Sequence, residues 1–242
     1  THVSFIGTPT NIEAAGNLVE VIDATGGRPS IILMNVAPRG GHTRKWENGT
    51  PFGYVWYEKT LIIGTVDGLC FSALKKYGLA DEIRLLDTHT SAEAMQAAGF
   101  ISAEEAAYIP TTQFRSFDFT PVVAAFIWGG GEVPTESYPM SEVADLPAAI
   151  WWIDNFGNCK TTLTASDIEG KTELTTRFGS FPIYLQLKDV PDGETGFTIG
   201  SSGLLGNKFV EFVIQRQSAA KHYNVTPGDA LFTEEHYGLH AT

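Results

Sequence analysis

The chain has 242 residues and a formal net charge of −12, with its sixteen Lys and Arg scattered. A chain this acidic repels the phosphates of nucleic acid, and no basic stripe offsets that. Its 43% hydrophobic and 18% charged residues are ordinary for a globular protein of one large or two modest domains. No apolar run reaches the roughly 18–20 residues of a membrane helix and no signal peptide is legible, so cytoplasm is the expected compartment.

Val3-Ser4-Phe5-Ile6-Gly7 reads as a strand already under way, which leads us to expect that the natural chain begins before Thr1. Asn11 suits the N-cap of a helix whose apolar positions Ile12, Ala15, Val19 and Ile22 keep helical spacing, and Gly26-Gly27 would end it. Residues 31–36 are a continuous apolar run, as in a strand buried on both faces of a parallel sheet. A Gly-rich loop over 38–52 carries Arg39, His42, Arg44 and Trp46. Strands are then expected at 54–57, 61–65 and 83–87, and helices at 69–77, 92–98, 103–107 and 121–128. This alternation implies an α/β domain over 1–128 with a mostly parallel sheet. Gly129-Gly130-Gly131 with Pro134, Pro139 and Pro147 marks a linker over 129–147. Short strands at 148–153, 158–164, 173–177, 183–187, 209–215 and 230–233, and one short helix at 218–223, fit a smaller antiparallel β-barrel-like domain over 148–242.

Cys70 and Cys159 lie far apart without CxxC spacing, and each reads as a small buried hydrophobe. His89, His222, His236 and His240 show no metal spacing, so no metal is expected. The sequons at Asn48 and Asn224 matter only in a secreted protein.

The stretch that asks for an explanation is Asp154-Asn155-Phe156-Gly157-Asn158, closing an apolar strand. A carboxylate can pair with an amine, a ring can stack on a heterocycle, and a carboxamide offers a donor and an acceptor to a base edge. Such a set suits a ligand that is part amino acid and part purine. The same residues equally suit a β-turn closed by an Asx hydrogen bond.

Ile153-Asp154-Asn155-Phe156-Gly157-Asn158-Cys159-Lys160-Thr161-Thr162 resembles the I-D-x-F-G-N-x-x-T-N signature of the S-adenosylmethionine hydroxide adenosyltransferases, the family that includes the fluorinating and chlorinating enzymes. Val210-Glu211-Phe212-Val213-Ile214-Gln215-Arg216-Gln217-Ser218-Ala219-Ala220 is similar to its L-E-x-A-x-N-x-G-x-A-A segment, and Ser201-Ser202-Gly203 to its N-S-x-G. Ala37 to Arg44 stands where the family has V-D-P-G-V-G-T-x-R, and Val66-Asp67-Gly68-Leu69 where it has D-N-G-L. The resemblance implies that Asp154 holds the methionine amino group, Phe156 packs on adenine and Asn158 reads the adenine edge. Arg216 and the backbone near Ala219 would close over the base, and Ser202 would help hold the amino-acid end.

Departures fall on the chemistry. Of the Asp, Arg and His credited in the family with activating water, Ala37 replaces the Asp and Phe114 the His, leaving Arg44. The acid on the family's first strand, which holds the ribose hydroxyls, has no counterpart, and Lys160 stands where halogenating members carry an aromatic. His42 is a candidate substitute base or polariser, or else an exposed loop histidine. Arg39 and Arg115 are candidates for an anion pocket, or else solvated surface charges. The expected activity is attack at C5′ of S-adenosylmethionine, giving adenosine and methionine with no further cofactor. A catalytically degenerate S-adenosylmethionine or adenosine binder, or a relative using another nucleoside or nucleophile, is the alternative. The resemblance also implies a homotrimer with a small nucleoside ligand as its partner.

Overall fold

The structure is a computed structural model that describes residues 3–36 and 49–232. The chain splits into two compact units, Ala24–Asp145 and Thr1–Asp23 with Leu146–Thr242. Residues 3–8 form no regular element, so the strand expected there is absent. Helix α1 (Asn11–Thr25) follows, and its cap is Thr10 rather than Asn11: Thr10 Oγ1 accepts from the Glu13 backbone N–H at 3.2 Å and donates to Glu13 Oε2 at 3.0 Å.

In the Ala24–Asp145 unit, strands β1 (Ser30–Leu33), β2 (Phe52–Tyr57) and β3 (Thr60–Thr65) precede helix α2 (Ser72–Lys76). Strand β4 (Glu82–Leu86) and helices α3 (Thr88–Ala97), α4 (Ala103–Tyr108), α5 (Arg115–Asp118) and α6 (Thr120–Trp128) come next, and strand β5 (Thr135–Pro139) closes the series. The sheet order is β1-β3-β2-β4-β5. Strand β1 runs parallel to β3, while the β2–β3, β2–β4 and β4–β5 pairs are antiparallel. The α/β character expected here holds, but the sheet is mostly antiparallel. The reason is local: β2 and β3 are joined by the Glu58-Lys59 hairpin, with Glu58 at φ 50, which reverses the chain without a helical crossover.

The fully buried strand is β3, all six residues of which are inside. The apolar run in β1 is instead an edge strand with Ile31 and Leu33 exposed on one face. Strand β5 falls inside the segment read as a linker and pairs with β4 from Glu82↔Pro139 to Leu86↔Thr135. Leu61, Ile63, Met95, Phe119, Val123 and Phe126 centre the core between this sheet and its helices. On the same unit Trp56 and Trp128 stack with ring centroids 5.6 Å apart.

The other unit holds strands β6 (Ile150–Ile153), β7 (Cys159–Thr164), β8 (Glu173–Thr176), β9 (Gly179–Tyr184), β10 (Thr195–Leu204) and β11 (Asn207–Ile214), then helix α7 (Ala219–Tyr223). The sheet order is β6-β7-β11-β10-β9-β8, a curled half-barrel in which only the short β9–β10 pair is parallel. Strand pairing places Ile153, Cys159, Phe212, Phe197 and Ile183 in one row across the sheet. Trp152, Lys160, Glu211, Thr198 and Tyr184 form the adjacent row. Successive residues of a strand face opposite ways, so the first row points into the apolar core and the second makes a polar band on the other face. Among the described residues, no helix is long and apolar enough to cross a membrane.

Gly16 of α1 sits against Trp151, where a Cβ would lie 2.1 Å from the indole ring. Gly16→Ala gains about 1 kcal/mol of helix propensity but overpacks a fully buried ring at about 1–3 kcal/mol. We expect a net loss on the order of 1 kcal/mol, read as a lower urea midpoint; an unchanged or higher midpoint would contradict this packing.

Candidate functional site

Between β6 and β7 the chain turns through residues 154–158. Asp154 Oδ1 accepts from the backbone N–H groups of Phe156 and Asn158, both at 2.9 Å, and Oδ2 accepts from Asn158 Nδ2 at 3.0 Å. The Gly157 N–H donates to Asp154 O, and the Asp154 N–H to Asn158 O, each at 3.0 Å. The Asx turn is thus realised, and it orients what a ligand would meet. Asn158 is buried with its amide fixed by a carboxylate, whereas the Phe156 ring is 81% exposed at the loop tip.

Gly157 makes this arrangement possible. Its φ is +87, and a Cβ would fall 2.0 Å from Ser218 Oγ. Ser218 caps α7, its hydroxyl accepting from the Lys221 N–H at 3.1 Å, and the Ala220 N–H donates to Gly157 O at 3.0 Å. The loop is therefore pinned to the start of α7 through a position that only glycine can fill.

Beside the loop lies the polar band. Lys160 Nζ pairs with Glu20 Oε1 of α1 at 2.7 Å and donates to Ser202 Oγ of β10 at 3.0 Å. It also lies 5.6 Å from the centroid of the Trp151 ring. Glu211 is its cross-strand neighbour. Burial raises the Glu211 carboxyl pKa above its ordinary value; the Lys160 ammonium pulls it back, and the charges of Asp154 and Glu20 push it up again. The Lys160 ammonium thus stands against the Glu20 and Glu211 carboxylates, and the charge of Asp154 also reaches Glu211. The Cys159 thiol, on the opposite face, is pushed up to about 12, by burial first and then by Asp154.

Asp154, Phe156 and Asn158 share the β6–β7 loop, Asp154 bonded to Asn158 and to the Phe156 N–H. Ala219 is adjacent through the Gly157–Ala220 bond, with its methyl fully buried, so only its backbone could meet a ligand. Ser202 joins the neighbourhood through Lys160 rather than directly. Arg216 stands apart from this group: it is exposed, in the left-handed region at φ 65, and its Nε donates to Asp192 Oδ1 at 2.9 Å. His42 and Arg44, with Ala37 and Arg39, lie outside the described residues. Phe114 is exposed ahead of α5. Among the described residues, no group of three or more His, Cys, Asp or Glu side chains could hold a metal ion.

Sequence reasoning passed over Glu20 and gave Glu211 no role. The signal for Glu211 was its place as a lone acid amid Phe209, Val210, Phe212 and Val213. Glu20 carried no signal, because its meaning comes only from α1 meeting β7.

Residues 148–232 match the model of the SAM hydroxide adenosyltransferase C-terminal domain. No curated protein matches the chain. Among solved structures, the chain is similar to an uncharacterized conserved protein from Thermotoga maritima at 18% identity and a TM-score of 0.56, over 91% of this chain and 83% of that one. It is also similar to a conserved hypothetical protein from Thermus thermophilus at 18% identity and a TM-score of 0.53, over 92% and 81%. At that identity these likenesses speak for the fold alone. Over residues 148–232, about a third of its length, the chain is similar to the SAM hydroxide adenosyltransferase C-terminal domain.

Proposed function

We propose that residues 154–158 and the neighbouring polar band form the adenosyl face of an enzyme that cleaves S-adenosylmethionine to adenosine and methionine. The observation that carries this reading is the caged Asp154–Asn158 pair with the Phe156 ring left free, inside the family-matched residues. Phe156 would stack on adenine, and Asn158, still holding one N–H and its carbonyl, would read the base edge. Asp154 and Ser202 would receive the amino-acid end. Arg216 would have to leave Asp192 to reach the base. A water oxygen attacks C5′, the C5′–S bond breaks, its electron pair stays on sulfur to give methionine, and the water's proton is lost to a base. Arg44 and His42 are the residues assigned to that water.

A specific observation favours a second reading, a binder without turnover: Ala37 and Phe114 stand where the family has the acid and histidine that activate water. Under either reading we expect a homotrimer, so a monomer mass by light scattering at micromolar concentration would count against the assembly.

Asn158→Ala should weaken adenosine and S-adenosylmethionine alike, by about 1–3 kcal/mol or roughly five- to 150-fold. Asp154→Asn should weaken S-adenosylmethionine more than adenosine, which has no amino group. Arg44→Ala should spare adenosine binding and lower turnover. Calorimetry and chromatographic detection of adenosine check all three. If wild type binds neither ligand at millimolar concentration, the pocket reading fails; if it binds without releasing adenosine, the binder reading holds.

Electrostatics add a pH test. Because Glu211 ionises at higher pH than an ordinary carboxyl, raising the pH through its titration adds a negative charge beside a cationic ligand. The affinity for S-adenosylmethionine should rise across that range while that for neutral adenosine stays level. Glu211→Gln should flatten the difference.

A further inference from the structure

The Ala24–Asp145 unit contains a cavity of about 470 Å³ at one end of its sheet, in the size range of small-molecule sites. There Leu85 and Leu86 end β4, Glu136 lies near the start of β5, and Asp87 caps α3. Arg115 forms part of the wall. Its Nη2 donates to Thr50 O at 2.9 Å, and its guanidinium lies 5.6 Å from the centroid of the Phe52 ring. It makes no ion pair among the described residues. Burial alone lowers its pKa, with no neighbouring charge contributing. Gly49, at φ +76, leaves it room: a Cβ there would fall 2.8 Å from Nη2.

A half-buried guanidinium with no carboxylate partner among the described residues is unexpected in a chain with 28 acidic residues. Five N–H donors and one backbone acceptor leave its fork open to a carboxylate. The other two charged residues of the lining, Asp87 and Glu136, are of the opposite sign. Asp87 Oδ1 accepts from the Thr90 N–H at 2.8 Å, which leaves Oδ2 available, and Glu136 is exposed at the rim. These two acids would repel a phosphate dianion. Pro51, Leu85 and Pro134 add apolar surface to the lining.

We propose that this cavity binds a zwitterionic α-amino acid with an apolar side chain, its carboxylate on Arg115 and its ammonium toward Asp87 and Glu136. The site is independent of the adenosyl reading, lies in the other unit and is probed without a nucleoside.

The test is calorimetric titration of the full chain near neutral pH with L-leucine and its two deletion analogues, 4-methylpentanoate without the amino group and 3-methylbutylamine without the carboxylate. L-leucine should bind, and each analogue should bind at least about tenfold more weakly. Arg115→Met should weaken L-leucine by at least about tenfold. Glu136→Gln, at an exposed position away from the core, should weaken L-leucine and leave 4-methylpentanoate unchanged, which keeps the test decisive should Arg115→Met fail to fold. The proposal is overturned if L-leucine gives no heat at millimolar concentration, if 4-methylpentanoate or inorganic phosphate binds as tightly, or if Glu136→Gln has no effect.

Discussion

The candidate site rests on one steric fact: at Gly157 the backbone turns at φ +87 with Ser218 against the place where a side chain would be. That contact lets the first turn of α7 close on the loop, and it lets Asp154 collect both backbone N–H groups and the Asn158 amide. A larger residue would have to push away the α7 cap, and the carboxylate would then lose the geometry that fixes Asn158. The turn reading and the ligand reading of this stretch are not rivals. The turn is the device by which a carboxamide is buried and aimed.

The polar band shows the same economy. Pairing across β7 and β11 sends Cys159 and Phe212 to the core and Lys160 and Glu211 to the opposite face. Glu20 of α1 and Ser202 of β10 then converge on the Lys160 ammonium. Gly200 keeps the space beside Glu211 open, since a Cβ there would lie 2.5 Å from its Oε1. Charge is concentrated where register, helix position and a missing side chain coincide.

Much of this was legible in the sequence. Helix α1, strands β2, β3 and β4 and helices α2, α3, α4 and α6 follow from apolar spacing and flanking turn residues, and the Asp154–Asn158 turn from its residue types; the one-turn helix α5 was not expected. Strand β10 was missed because Gly196, Gly200 and Gly203 with Ser201 and Ser202 read as loop. Those glycines are there because Tyr184, Glu211 and the Asn207–Phe209 backbone press against them. Strand β5 was hidden by Pro134 and by Pro139 at its end, tolerable because β5 is an edge strand. Strand β1 was over-read, since an apolar run does not say how many neighbours a strand will have. The position of Arg216 beside Asp192 depends on two loops far apart in sequence, which no local pattern reveals.

That edge position of β1 bears on how the protein behaves in concentrated solution. Among the described residues β1 pairs with β3 alone, and Ile31 and Leu33 are exposed on it, so it offers an apolar template to other strands. Little in its own sequence blocks such pairing: Ser-Ile-Ile-Leu has neither charge nor proline. The counterweight is global, a net charge of −12 that keeps copies apart through mutual repulsion. Repulsion of that kind acts over a Debye length of about 10 Å at 0.1 M salt and about 3 Å at 1 M. Colloidal stability thus hangs on ionic strength, and low salt is the condition under which this chain keeps its exposed strand to itself.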